Sequence, residues 1–374
     1  MEIESAADLA ALLADPRASL MGVCLQDIDL TDAADLAARL AVVDVAGLVV
    51  LGGRIPAAVL ADLAHRGAMV LPIVPGVPFD PYRGRLYRPA ELYAGLPNGY
   101  PVTPDAQTYR WFAGRRSAPD VVGAVYSAIH DASITDALDE LLVADRRPLV
   151  AVMGGHGSRR GGRDYAAAAE LGSRLARCGA LVATGGGPGT MEAVNLGAAF
   201  GGRDRDTLPA ALDRLASVES FEDVGEWAGL ALQIAGEAGF DRDAAVCSIG
   251  IPTWFYGHEP PNVFADRIAK YFSNALREDV LLDRATGGVI VLPGAAGTVQ
   301  EIFQAATRSY YATGASPAPI VLVGTEYWQR TLAAWPLLAQ LGADRPMADR
   351  ILLCDTATDA VRALADLGVS PLSR

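Results

Sequence analysis

The chain has 374 residues, 51% of them hydrophobic and 20% charged, with a formal net charge of −13 at pH 7. Its length points to about two domains and its composition to a globular fold without long disorder. The acidic balance excludes a general electrostatic mode of binding polymeric nucleic acid, and no apolar run reaches the roughly 18 residues of a membrane-crossing helix.

Lysine occurs once, as Lys270. A Walker A phosphate loop, which requires Lys after Gly, is thereby excluded, and Lys270 is left as the sole residue for Schiff-base chemistry. The cysteines (Cys24, Cys178, Cys247, Cys354) are far apart with no C-x-x-C pair. They read as reduced core residues of a cytoplasmic protein, in keeping with an N-terminus that lacks the basic start of a signal peptide. The histidines (His65, His130, His156, His258) show no metal-ligand spacing.

In chain order, MGVCLQ (21–26), GLVVLGG (47–53) and AMVLPIV (68–74) read as strands separated by helical stretches. Residues 72–119 are dense in Pro, Gly, Tyr and Arg. That many aromatics predicts an irregular segment packed on something, not a free linker. Residues 119–145 read as one helix. From 148 onward, buried strands alternate with helices. PLVAVM (148–153) is followed by the loop GGHGSRRGG and a helix ending at Gly179, and ALVAT (180–184) by GGGPGT and a helix. Two helices precede the strand AAVCSIGIP. A polar loop, TWFYGHEPPN, then leads to an amphipathic helix over VFADRIAKYFSNALREDVLLDRA. GGVIVLPG, PAPIVLV and ILLC are the remaining strands, with a helix broken at Pro336 between the last two. The expected fold class is α/β, a doubly wound, mainly parallel Rossmann-like sheet with an additional N-terminal α/β region. The expected domains are 1–118 (accessory), 119–145 (connecting helix) and 146–374 (nucleotide-binding).

Three glycine-rich loops each join a strand to a helix, where bare backbone N–H groups and the helix dipole hold anions. In the first, Gly157, Ser158 and Arg159 are candidate ligand contacts; Arg160 stands where a dinucleotide fingerprint has glycine. In the second, Gly185, Gly186, Gly187, Gly189, Thr190 and Met191 form a turn suited to a phosphate or sugar. No acidic residue stands where a nicotinamide ribose would need one, so a nicotinamide dehydrogenase is disfavoured. In the third, Gly294, Ala295, Ala296, Gly297 and Thr298 leave a helix start open, with Glu301 about one turn further on; capping is the alternative for that carboxylate. The 253–262 loop offers aromatics that either stack on a base or cover the core. Arg277 lies near a helix end, where a surface ion pair is the alternative.

Taken together, GSR after the first of these strands, GGGPGTMEAVNLGA after the second and PGAAGTVQE after the fourth resemble the LOG ("Lonely Guy") family. These are the cytokinin-riboside-monophosphate phosphoribohydrolases and bacterial nucleotide 5′-monophosphate nucleosidases, some of them labelled lysine decarboxylases. The signature PGGxGTxxE is matched by Pro293, Gly294, Gly297, Thr298 and Glu301. Ala295 replaces its second glycine, a substitution that a positive φ would penalise. Arg277 precedes Glu301 by 24 residues, one more than the family spacing. The resemblance spans about residues 148–325.

The resemblance implies hydrolysis of the N-glycosidic bond of a nucleoside 5′-monophosphate. Glu301 would act on the ribose and water, Arg277 would orient it, loop 294–298 would hold the 5′-phosphate, and GGGPGT would meet ribose and phosphate. Ser158, Arg159 and the 253–262 loop would contact the rest of the nucleotide, base included. No metal or redox cofactor is needed, and the protein is expected to be a homodimer or higher homo-oligomer. A non-catalytic nucleotide sensor or cofactor carrier on the same fold is the alternative. The Arg277/Glu301 pair favours the enzyme, since a carrier does not need it. A lysine decarboxylase is a poor reading, because Lys270 falls in the expected amphipathic helix with no cofactor motif around it.

Overall fold

The computed structural model describes the chain apart from residues 16, 74, 118–119, 241–245, 258, 313–315 and 370–374, and apart from the side chains of 116–117. His258 therefore lies outside the described residues, as do the ends of two expected strands (at 74 and 244–245) and the first residue of the helix expected from 119. The chain divides into two compact units, residues 1–85 with 120–138, and residues 86–119 with 139–374.

The first unit holds a four-stranded parallel sheet in the order β1 (Glu2–Ile3), β2 (Cys24–Gln26), β3 (Val49–Leu51), β4 (Met69–Leu71). Its core gathers Leu9, Leu25, Leu36, Leu48, Val50 and Leu63, contributed alternately by strands and helices. β2 to β4 fall inside the expected apolar runs, and the two-residue β1 is too short to leave a sequence signal. The helix expected at 119–145 is Val121–Ala144.

The second unit is a doubly wound α/β fold around a seven-stranded sheet whose strand pairs are all parallel. The strands are β5 (Leu149–Met153), β6 (Leu181–Thr184), β7 (Ser248–Gly250), β8 (Arg267–Ile268), β9 (Gly288–Val291), β10 (Ile320–Val323) and β11 (Ile351–Cys354). Their order is β11-β10-β9-β5-β6-β7-β8. The chain winds outward from β5 through β6 to β8, then restarts at β9 on the other side of β5 and winds the opposite way. Right-handed crossovers put the helices of the two halves on opposite faces. The switch point lies between β5 and β9, and ligands of open α/β sheets bind at the carboxyl ends of the strands there.

β5, β6, β9 and β10 are buried throughout, which is why each reads as a continuous apolar run. The helix Arg163–Arg177 ends as the sequence predicts. Gly179, at φ +83°, donates its N–H to Ala176 O while Ala180 donates to Leu175 O, the paired bonds of a glycine-terminated helix. The helix Thr190–Phe200 packs against it, with Gly172 and Gly197 at the crossing. A Cβ on Gly172 would lie 2.8 Å from the Val194 carbonyl carbon.

Three expectations are corrected. The amphipathic helix over 263–285 is a helix only from Asn274 to Arg284; before it the chain turns at Val263–Phe264 and then carries β8. Lys270 therefore sits in extended chain. The segment 263–272 is buried almost throughout, so its apolar spacing does not mark one helical face. The helix break near Pro336 precedes the proline. A short π-helical turn, Tyr327–Thr331, is followed by Ala334–Gly342, and Pro336 sits in that helix's first turn, where no backbone donor is needed. All four cysteines are free but half-buried, not core residues. Among the described residues no helix is long and apolar enough to cross a membrane.

Candidate functional site

A cavity of about 730 Å³ opens at the switch point. Its lining comes from the loops after β5, β6 and β9, the 253–262 loop, and the helices Asn274–Arg284 and Ala296–Tyr311. The β5 and β9 loops are locked together. Gly155 donates its N–H to Pro293 O at 3.2 Å, Leu292 donates to Met153 O at 2.9 Å, and Thr190 donates to Gly155 O at 3.1 Å.

The helix Ala296–Tyr311 starts at this cavity with no side chain capping it. Ala295, at its N-cap, has φ −104° and ψ −148°, a backbone open to alanine. Loss of the signature glycine therefore carries no strain here. Tyr327, on the π-helical turn, donates its hydroxyl to Gly294 O at 2.6 Å and pins the peptide that enters the helix.

Arg277 and Glu301 come from two helices and meet in the wall. Ser273 caps the first helix, accepting from Leu276 N at 3.3 Å, and so fixes the turn that carries Arg277. The guanidinium donates to Ile251 O at 2.7 Å, Gly185 O at 3.3 Å and Glu301 Oε1 at 3.1 Å. Both side chains are largely buried, 8% and 11% exposed, so this is not the surface ion pair weighed as the alternative. Burial pushes the Glu301 carboxyl above its ordinary value; Arg277 opposes this, while Glu278 and Glu259 add to it. Glu278 is itself held by the amides of Asn274 (2.8 Å) and Gln300 (2.6 Å).

Of the expected site residues, Gly157, Ser158, Gly185, Met191, Arg277, Gly294, Ala295, Ala296, Gly297, Thr298 and Glu301 line the cavity. Gly186, Gly187, Gly189 and Thr190 shape the loop behind it. Asn262 donates from its backbone to Gly186 O at 2.8 Å and from its side chain to Gly187 O at 3.2 Å. Thr190 Oγ1 lies 2.9 Å from Ser158 Oγ. Arg159 is corrected: its side chain is 70% exposed, outside the cavity lining, and 3.7 Å from Glu219. Arg160 has a structural task. It is buried against Glu192, donates to Trp227 O at 3.1 Å, and lies over the Trp227 ring.

Comparison with known proteins matches two stretches of the second unit. Residues 232–364 match the family described as "Possible lysine decarboxylase", and residues 147–217 match the SLOG cluster4 family. No curated protein matches the sequence. The solved structures it is similar to include the molybdenum cofactor binding protein from the phototrophic bacterium Rippkaea orientalis. The identity is 17%, with 60% of this chain and 98% of that one covered and a TM-score of 0.37. Another is the Moco Carrier Protein from Chlamydomonas reinhardtii, at 18% identity, 59% and 98% coverage and a TM-score of 0.34. The two family matches flank the cavity and take in its β5, β6 and β9 loops. Over residues 147–217 and 232–364 the chain is LOG-like and lysine-decarboxylase-like, on a Rossmann-type fold.

In this LOG-like domain the only lysine does not line the cavity. Lys270 is buried, with Nζ 2.6 Å from Asp105 Oδ1 and 5.1 Å from the centre of the Trp254 ring. Trp254 Nε1 donates to the same carboxylate oxygen at 2.8 Å. The lysine thus serves the packing of residues 86–119, away from the cavity. Residues that sequence reasoning did not single out also line the cavity, among them His156, Asp164, Glu259, Glu278 and Tyr327. For His156 and Glu259 the available signal was position, since both lie in loops that follow the carboxyl ends of strands.

Proposed function

We propose that the LOG-like domain hydrolyses the N-glycosidic bond of nucleoside 5′-monophosphates, giving free base and ribose 5-phosphate. The observation that supports this best is the buried Arg277–Glu301 pair in the cavity wall, beside an uncapped helix N-terminus. A 5′-phosphate suits the amides of Ala296, Gly297 and Thr298, where directed N–H groups and the helix dipole favour an anion. Glu301 lies five residues beyond Ala296, about 7 Å along the axis. That offset suits a carboxylate acting about one sugar's length from such a phosphate.

Cleavage breaks the bond between C1′ and the base nitrogen. The electron pair leaves with the base, which takes up a proton from the solvent, and positive charge builds on the ribose. An ionised Glu301 stabilises that charge and accepts a proton from the water that attacks C1′. A guanidinium is not a general acid, so Arg277 serves here through its charge and its hydrogen bonds. Its three acceptors fix it in place, and its charge favours the ionised form of Glu301 against the effect of burial. In this reading the working form is a cytoplasmic homodimer or higher homo-oligomer.

The test is base release from nucleoside monophosphates and the matching nucleosides, read by chromatography. Release from the monophosphates by the wild type, and none from folded Glu301→Gln, is the expected result. Binding without release would overturn the hydrolase and leave the sensor or carrier reading.

A further inference from the structure

Beyond the Arg277–Glu301 pair the cavity is lined by Met191 and Glu259, both of which meet the GGGPGT loop. A Cβ built on Gly185 would fall on Arg277 Nη2 and lie 2.7 Å from Met191 Sδ. One built on Gly187 would lie 3.0 Å from Met191 Cε and 3.7 Å from Glu259 Oε2. Arg277, Met191 and Glu259 thus succeed one another along a stretch two residues long, at most about 7 Å. That is about the width of a nucleobase.

The order of these groups matters. Arg277 and Glu301 stand where the glycosidic carbon would lie. Met191 then offers a polarizable thioether, suited to the face of an aromatic ring. Glu259 offers a carboxylate, which when ionised accepts hydrogen bonds and donates none. It is held in turn, with its Oε1 3.1 Å from His156 Nδ1. The His156 backbone is tied to the same loop, because its carbonyl lies against Gly189, where φ is +70° and a side chain would collide with it. The charge of the lining points the same way. Asp164, Glu259, Glu278 and Glu301 are acidic, against Arg277 and His156.

We infer that Glu259 reads the edge of the base and that His156 is its positioning residue. The cavity accordingly takes bases bearing an exocyclic amino group in preference to their oxo counterparts. The inference rests on the nucleotide reading above. An amino group donates to the carboxylate. A carbonyl facing Oε2 sets two acceptors against each other, and Oε1, which could otherwise take the ring N–H of an oxo base, is engaged by His156, in a site partly shielded from water.

The experiment compares AMP with IMP and CMP with UMP, pairs that differ by amino against oxo on the ring. Wild-type kcat/KM is expected to favour the amino member by about 10- to 100-fold. Glu259→Gln, whose amide also donates, is expected to bring both ratios toward unity. His156→Ala is expected to lower both ratios with a smaller effect on kcat for the amino substrates, a selectivity change that loss of packing alone would not give. The same pairs are titrated calorimetrically against Glu301→Gln, which reads discrimination without turnover. Equal binding of amino and oxo members, or unchanged ratios in folded Glu259→Gln, overturns the inference. Discrimination in binding with no base release by the wild type sinks the hydrolase reading and leaves the role of Glu259 standing.

Discussion

Arg277 occupies the space that a side chain on Gly185 would need, and the Gly185 carbonyl accepts a hydrogen bond from its Nη2 at 3.3 Å. The glycine at the end of β6 and the arginine of a distant helix are therefore one device. Gly185→Ala should push the guanidinium off Glu301 and lower kcat/KM by about two orders of magnitude, since misplacement by about 1 Å is enough for that. As a control, Gly229→Ala, inside the helix Val224–Glu237 with open space around it, should gain about 0.5–1 kcal/mol of stability in a denaturant titration.

The pH dependence follows from the environment of Glu301. Burial first, then Glu278 and Glu259, raise its pKa, and Arg277 lowers it. The proposed role needs the ionised carboxylate, so kcat should rise with pH as Glu301 loses its proton. Removing Arg277 removes the opposing charge. Arg277→Ala should therefore shift the acid limb of the kcat profile upward in pH as well as lower kcat. A limb that stays in place would show that another group controls it.

Tyr327 fixes the Gly294 peptide, not the reacting bond. In Tyr327→Phe the loop that meets the phosphate loses this tie. KM for a nucleoside monophosphate should rise by about tenfold, the equivalent of one hydrogen bond of about 1.4 kcal/mol, with a smaller change in kcat. Competitive inhibition by ribose 5-phosphate should weaken in parallel.

Asp105 carries the counter-charge of Lys270 and also accepts from Trp254 Nε1 and, at 2.9 Å, from the Tyr100 hydroxyl. Asp105→Asn leaves a buried ammonium without its partner and should cost about 3–5 kcal/mol of stability, measured by urea unfolding. Adding Lys270→Met should restore much of the loss. A double variant no more stable than Asp105→Asn would show that the tryptophan and tyrosine bonds matter more than the charge.

Much of this fold was legible because the chemistry is local. β5, β6, β9 and β10 are short apolar runs, the first three ending in glycine-rich loops, and burial on both faces leaves no other pattern for a parallel sheet. Glu301 and Arg277 were legible as types at a spacing, and three dimensions supplied the 3.1 Å contact. The chain before Asn274 was misread because Phe264, Ile268 and Phe272 recur every four residues, as on a helix. All three are buried outside any helix instead, Phe264 in a turn and Ile268 in β8. Asn262 helps to decide this, accepting from Phe264 N and Ala265 N at 3.2 and 3.1 Å and offering the backbone an alternative to a helical turn. Strand-type bonds to Tyr87, Gly250 and Pro252 complete it. Such partners are remote in sequence, and no local pattern announces them. Arg159 failed for a related reason: a loop sequence says that a side chain is close to a site, not which way it points.

The packing of Lys270 has a practical side. It is the only ε-amine in the sequence, and in the native fold it is 1% exposed. Reagents that acylate lysine should leave this position untouched until residues 86–119 separate from the strands beneath them. The extent of ε-acylation, followed by mass spectrometry of the Arg-bounded peptide around 270, would then act as a built-in gauge of local opening. It would need no engineered probe, and no second lysine would blur the signal.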